Sequence, residues 1–131
     1  MLSTGEITAM IADLAGPDTD GSDADRIDRL TALERLKSAA AAAQARITDT
    51  FAASQRATLI SNGTDSRDAR RSVCAQIGLA RRDSPHKGNR HVGLAHTLVH
   101  EMPGVLRALE KGETSEWRAT LIARETAHLD Q

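Results

Sequence analysis

The sequence predicts an all-α fold: a bundle of five or six helices, with one long spine helix at about 23–60 and shorter helices packed along it. Three observations predict this. Alanine is abundant and β-branched runs are scarce, which favours helix over strand. Apolar residues recur at helical spacing, and no alternating stretch of useful length occurs. Ser, Asp, Gly and Pro stand where helices need caps and stops. Hydrophobic residues make up 40% of the chain but aromatics only 2%, so the core must come from Leu, Ile, Val and Ala. A length of 131 residues suits one helical domain over 1–131. It divides into an N-terminal helix with an acidic linker at 1–21 and a main helical body at 22–131.

The elements follow in order. Ser3 with Glu6 reads as a capping box, and Gly16-Pro17 as a stop. The segment "GPDTDGSD" is a turn-rich acidic linker. Ser22 caps a helical pattern that runs without Gly or Pro to about Ile60. Its expected seam is Ile27, Leu30, Leu33, Leu36, Ala40, Ala43, Ile47 and Phe51. The small residues of "SAAAAAQA" would let a neighbouring helix approach closely. Such a helix spans roughly 57 Å, against a diameter of roughly 36 Å for a compact domain of this length. It must either kink or project, and a projecting apolar seam needs a partner. Asn62-Gly63 breaks it, and Asp65 or Ser66 caps a third helix to about Arg82. Ser84-Pro85 opens a fourth, to about Met102, weakened by Gly88 and Gly93. Pro103 starts a fifth, Gly112 ends it, and Thr114 or Ser115 caps a sixth.

Charge is unevenly placed although the net value is −1. From Met1 to Asp25 there are six acidic residues and no Lys or Arg. From Arg67 to His91 there are seven basic residues against Asp68 and Asp83. Such a patch suits a polyanionic partner, though it also suits a solvated helix face. The single cysteine, Cys74, excludes an internal disulfide and a multi-cysteine zinc site, and reads as a small core residue. No apolar run is long enough to span a membrane, and the N-terminus lacks the basic start of a signal peptide. A cytoplasmic location is the default expectation.

Chemical motifs are sparse. His96 and His100 share a helix face, with His91 near and Glu101 adjacent, but "HTLVHE" is not H-E-x-x-H and no third ligand is fixed. No metal site and no cofactor are therefore expected. The stretch "VCAQIGLARRDSPHKGNRHVGLAHTL" has the outline of a helix-turn-helix whose second helix opens on Pro85, His86 and Lys87. Candidate nucleic-acid contacts are Arg70, Arg71, Arg81, Arg82, Lys87 and Arg90. "RALEKGETSEWRATLIA" is a second helix–turn–helix unit, equally an ordinary helical hairpin. In "SEWRATLIARETAHLD", Arg118, Ile122, Glu125 and Leu129 fall on one seam. Charged seam residues imply a buried polar network or an interface, with Trp117 beside it. In the network reading, Arg118 reaches Glu34 or Asp49 and Glu125 takes an arginine.

The pieces "AAAQAR", "LARRDSP", "GLAHTLVHEMPGVLRALEKGETSEWRA" and "RET" occur in order over about four-fifths of the chain, from Asp25 to its end. In them the chain resembles the actinobacterial domain of unknown function 222, which commonly precedes an HNH endonuclease module. The resemblance implies an all-α domain without established activity, associated with DNA-related work. It also implies that the helical domain continues beyond the position of Gln131, with the nuclease further on. The chain carries no HNH constellation, so no nuclease chemistry transfers to its residues, and it is not expected to be an enzyme. The expected function is a non-catalytic accessory domain that binds DNA non-specifically or positions a nuclease module. The alternative is a dimerisation or scaffolding domain using the long helix. The partners to be expected are DNA, a downstream nuclease module or a second copy, and not a membrane.

Overall fold

A computed structural model describes residues 2–16 and 19–129, with side chains as far as residue 127. Pro17 and Asp18 of the expected linker lie outside the described residues, as does the side chain of Leu129. Six α-helices are described, with no strand among the described residues. They are α1 (Thr4–Leu14), α2 (Asp23–Ser61), α3 (Ser66–Ala80), α4 (Pro85–His96), α5 (Pro103–Glu110) and α6 (Glu116–Leu129). A π-helical segment, Thr97–Glu101, follows α4. The all-α expectation holds, and the long helix is 39 residues. Two compact units emerge, Met1–Ala32 and Leu33–Gln131, so the boundary falls inside α2 rather than in the linker.

The expected caps form. Ser3 Oγ accepts from the Glu6 N–H at 3.2 Å, and Asp65 accepts from the Asp68 N–H at 2.9 Å. Ser22 and Asp25 cap each other's backbone N–H reciprocally, both at 3.1 Å, a full capping box at the start of α2. Ser84 accepts from Lys87 N–H, and Ser115 from Arg118 N–H. In the first unit, Arg26 holds the Thr19 carbonyl at 3.0 Å and Arg29 the Asp20 carbonyl. No residue of α1 is buried.

The second unit has two clusters of buried residues. One joins Ala42 of α2 to Leu98, Leu106, Leu109 and Ala119, with Ala41, Ala45 and Leu94 packed against it. The other joins Val73, Cys74 and Ile77 of α3 to Val92 of α4, under Phe51 and Ala52. Cys74 is the buried core residue expected of it.

The seam expected on α2 is corrected. Ile27, Leu30, Leu33, Ala40 and Ile47 are exposed, Leu36, Ala43 and Phe51 are half-buried with Phe51 against the α3–α4 cluster, and the buried positions are Ser38, Ala42 and Thr48. Small side chains win this face because Leu98 and Leu109, both 1% exposed, fill the space beside them.

The fourth helix differs in its last turn. Met102 N–H donates to the Thr97 carbonyl at 2.9 Å, a five-residue step. Pro103 excludes α backbone from the residue before it, and Met102 sits at φ −132° and ψ 54°. The two glycines of α4 also differ. A Cβ on Gly88 would overlap the Cys74 carbonyl oxygen and lie 2.8 Å from the Gly78 nitrogen, so α3 and α4 meet backbone to backbone. A Cβ on Gly93 would meet nothing within 4 Å.

The polar network expected in α6 is also corrected. Trp117 is 64% exposed, and Arg118 and Glu125 are exposed too. The buried position is Ala119, flanked by half-buried Thr120 and Ala123. Small residues again take the inner face, which turns the charges outward. The partners named for Arg118 are engaged elsewhere, Glu34 with Lys37 and Asp49 with His96 and His100.

Candidate nucleic-acid interface

α3, the turn 81–84 and α4 form a tight helix-turn-helix pair. Its closeness comes from Gly78 and Gly88; a Cβ on Gly78 would lie 2.6 Å from the Ser84 carbonyl oxygen. This approach sets one exposed edge of α3 beside the N-terminal turn of α4. An open groove of about 310 Å³ results, lined by Arg67, Arg70, Arg71 and Cys74 from α3 and by Pro85, His86 and Asn89 from α4. No carboxylate is in that lining.

Arg70 is oriented by its neighbour across the groove, donating from Nη2 to Asn89 Oδ1 at 2.9 Å. The Cys74 thiol reaches the same oxygen at 3.7 Å. The start of α4 adds the positive end of its helix dipole to the guanidinium groups. Three arginines with an oriented asparagine and a helix N-terminus suit the oxygen atoms of phosphate groups.

The six sequence candidates do not all meet. Arg70 and Arg71 line the groove. Arg81 is drawn to Glu116 of α6 at 3.5 Å, and Lys87 lies 3.9 Å from Asp83. Arg82 and Arg90 are exposed outside the groove lining. Asp83 explains part of this division. Its hydrogen bond with His91 at 2.8 Å holds its carboxyl below the ordinary carboxylate range against the opposing effect of burial, and the nearby charges of Lys87, His91 and Arg81 add to the lowering. Asp83 therefore stays ionised and holds Lys87 and His91 beside the turn, while Arg81 is held by Glu116.

Sequence reasoning placed Arg67 in the basic segment and His86 at the start of the second helix, but counted neither among the candidate contacts, and passed over Asn89. Arg67, Arg70 and Arg71 recur at helical spacing ahead of the proline that starts α4, which is the signal that could have found the groove. Asp49 was missed as a neighbour of His96 and His100, because nothing local in the sequence joins α2 to the end of α4. Compared with family models, curated proteins and solved structures, the chain matches none.

Proposed function

We propose that this chain is a non-catalytic accessory domain that binds the DNA backbone without reading its sequence. By the resemblance to domain of unknown function 222, it does so beside an HNH nuclease module. The observation that carries the reading is the carboxylate-free groove of Arg67, Arg70 and Arg71 against the start of α4. Phosphate contacts fix position, while sequence is read by base-edge contacts. With four to six phosphates neutralised, the slope of log K against log salt is about −3.6 to −5.4.

The test is duplex DNA titration at several salt concentrations. Arg67→Ala, Arg70→Ala and Arg71→Ala together should flatten the slope by roughly 2.7 and weaken binding equally across unrelated sequences. Arg81→Ala, whose side chain is turned to Glu116, should leave the slope unchanged. A triple variant with the parent's slope would count against the groove. The purified chain should leave plasmid DNA uncut in Mg²⁺ or Mn²⁺.

A second reading rests on a different observation. In the first unit, Ile7, Met10, Ile11 and Leu14 form an exposed apolar stripe on α1, and Ile27 and Leu30 of α2 are 62% and 59% exposed. Apolar surface of this kind favours a second copy of the chain as its cover. Trp117, Leu121 and Ile122 are a separate exposed group on α6. With Arg118 and Glu125 they retain the interface half of the α6 reading, for a downstream module.

A further inference from the structure

His96 precedes the π-helical segment and His100 lies within it, and the fold brings Asp49 of α2 to both. Asp49 Oδ2 is 2.8 Å from His100 Nε2, and Asp49 Oδ1 is 3.6 Å from His96 Nδ1. One donor atom from each residue lies within 4.8 Å of the others. The two imidazoles face each other at 4.5 Å between centroids, tilted by 37°. Neither ring has another hydrogen-bond partner among the described residues.

We propose that Asp49, His96 and His100 bind one divalent transition-metal ion of the zinc type, with a fourth position open to water. Tetrahedral zinc with bonds of about 2.0–2.1 Å sets neighbouring donors about 3.3 Å apart. The three donor atoms lie within 4.8 Å of one another, with Asp49 Oδ2 and His100 Nε2 at 2.8 Å, so a small rotation of the exposed imidazoles would bring the set to that spacing. Two imidazole nitrogens and one carboxylate oxygen are the donor set of open, three-ligand zinc sites. They are poorly matched to Mg²⁺ or Ca²⁺, which require oxygen donors in larger number. The carboxylate is 18% exposed and the imidazoles are 62% and 52% exposed, so the anion is held within the fold while the entry side stays open to solvent.

The backbone that carries the donors is fixed independently of any metal. Leu98, between the two histidines, is 1% exposed in the core, and Thr48, beside Asp49, is 5% exposed. The π segment begins at the residue after His96 and contains His100, and such segments are frequent at functional sites. Donors on two rigid elements are preorganised, which is what separates a site from a chance cluster of surface side chains. A bound ion would tie the middle of α2 to the end of α4, a link that helical spacing alone could not supply. This proposal does not depend on the DNA reading, since none of its ligands lines the arginine groove.

The experiment uses the chain without an affinity tag, stripped with EDTA. Calorimetric titration with ZnCl₂ should give one ion per chain, and CoCl₂ should develop the visible absorption of a tetrahedral Co²⁺ site. The melting temperature should rise with Zn²⁺ and not with Mg²⁺ or Ca²⁺. His96→Ala and Asp49→Asn should each weaken Zn²⁺ binding by at least about tenfold, the lower limit for losing even a residue that merely orients a ligand. Asp49→Asn keeps the side-chain volume but can disturb the contact with His100. His96→Ala removes the more exposed ring, and a circular-dichroism melt in EDTA checks that the fold is kept. If Asp49→Asn loosens the fold, the His96→Ala variant alone decides. No Zn²⁺ binding by the parent chain at millimolar concentration would overturn the proposal. So would equal Zn²⁺ affinity in a folded His96→Ala protein, which would place the ion elsewhere.

Discussion

Arg82 adopts φ 56°, the left-handed region that side chains with a Cβ avoid. The turn requires it. α3 closes with the Asp83 N–H donating to the Gly78 carbonyl at 2.7 Å and the Arg82 N–H to the Leu79 carbonyl at 3.1 Å. The same closure ends α2 and α5, where Gly63 and Gly112 hold the left-handed position. Arg82→Gly should therefore stabilise the chain by about 1 kcal/mol, read as a higher urea midpoint with an unchanged slope. An unchanged or lower midpoint would mean that the arginine side chain contributes more than the strain costs. At this scale the sequence was legible in its caps and largely illegible in its pairings. Ser22, Asp65, Ser84 and Ser115 act within a few residues of themselves, so their roles can be read in place. Arg81 with Glu116, or Asp49 with His100, are joined only by the fold.

Among the elements, the pair α3 and α4 shows how one residue type can have opposite consequences. Gly88 and Gly93 both weaken a helix by propensity. Gly88 is buried against the backbone of α3, whereas Gly93 faces open space. Gly88→Ala should cost about 3 kcal/mol or more, because the backbones must separate to admit the methyl group. Gly93→Ala should stabilise by about 0.5–1 kcal/mol through helix propensity alone. Thermal melts of the two variants side by side check this, and equal effects would show that the close approach does not hold. Helix existence was readable here because start and stop signals are local. Which side of α2 or α6 turns inward was not. The larger apolar residues pointed to the wrong face, since the deciding fact was that Leu98 and Leu109 need small neighbours.

At the scale of the whole molecule, exposed apolar surface is the feature that calls for a partner. Ile27 and Leu30 of α2, with Ile11 and Leu14 of α1, are each more than half exposed. Sedimentation equilibrium should show the parent chain associating as concentration rises. Ile27→Glu with Leu30→Glu should shift it toward monomer without loss of helix, since neither side chain is in the described core. A parent that stays monomeric across a wide concentration range would remove the self-association reading.

The sequence by itself determined that the chain is all-α, where its helices begin and end to within a few residues, and which segment carries the basic charge. These follow from propensity, capping and turn chemistry, which act over one or two helical turns. Only the tertiary structure decided that the small residues of α2 and α6 face inward, that Arg67, Arg70 and Arg71 meet the start of α4, and that Asp49 reaches the two histidines. Each depends on how closely two helix backbones can approach. That distance is set by the volumes of side chains far apart in the chain, which local spacing does not encode.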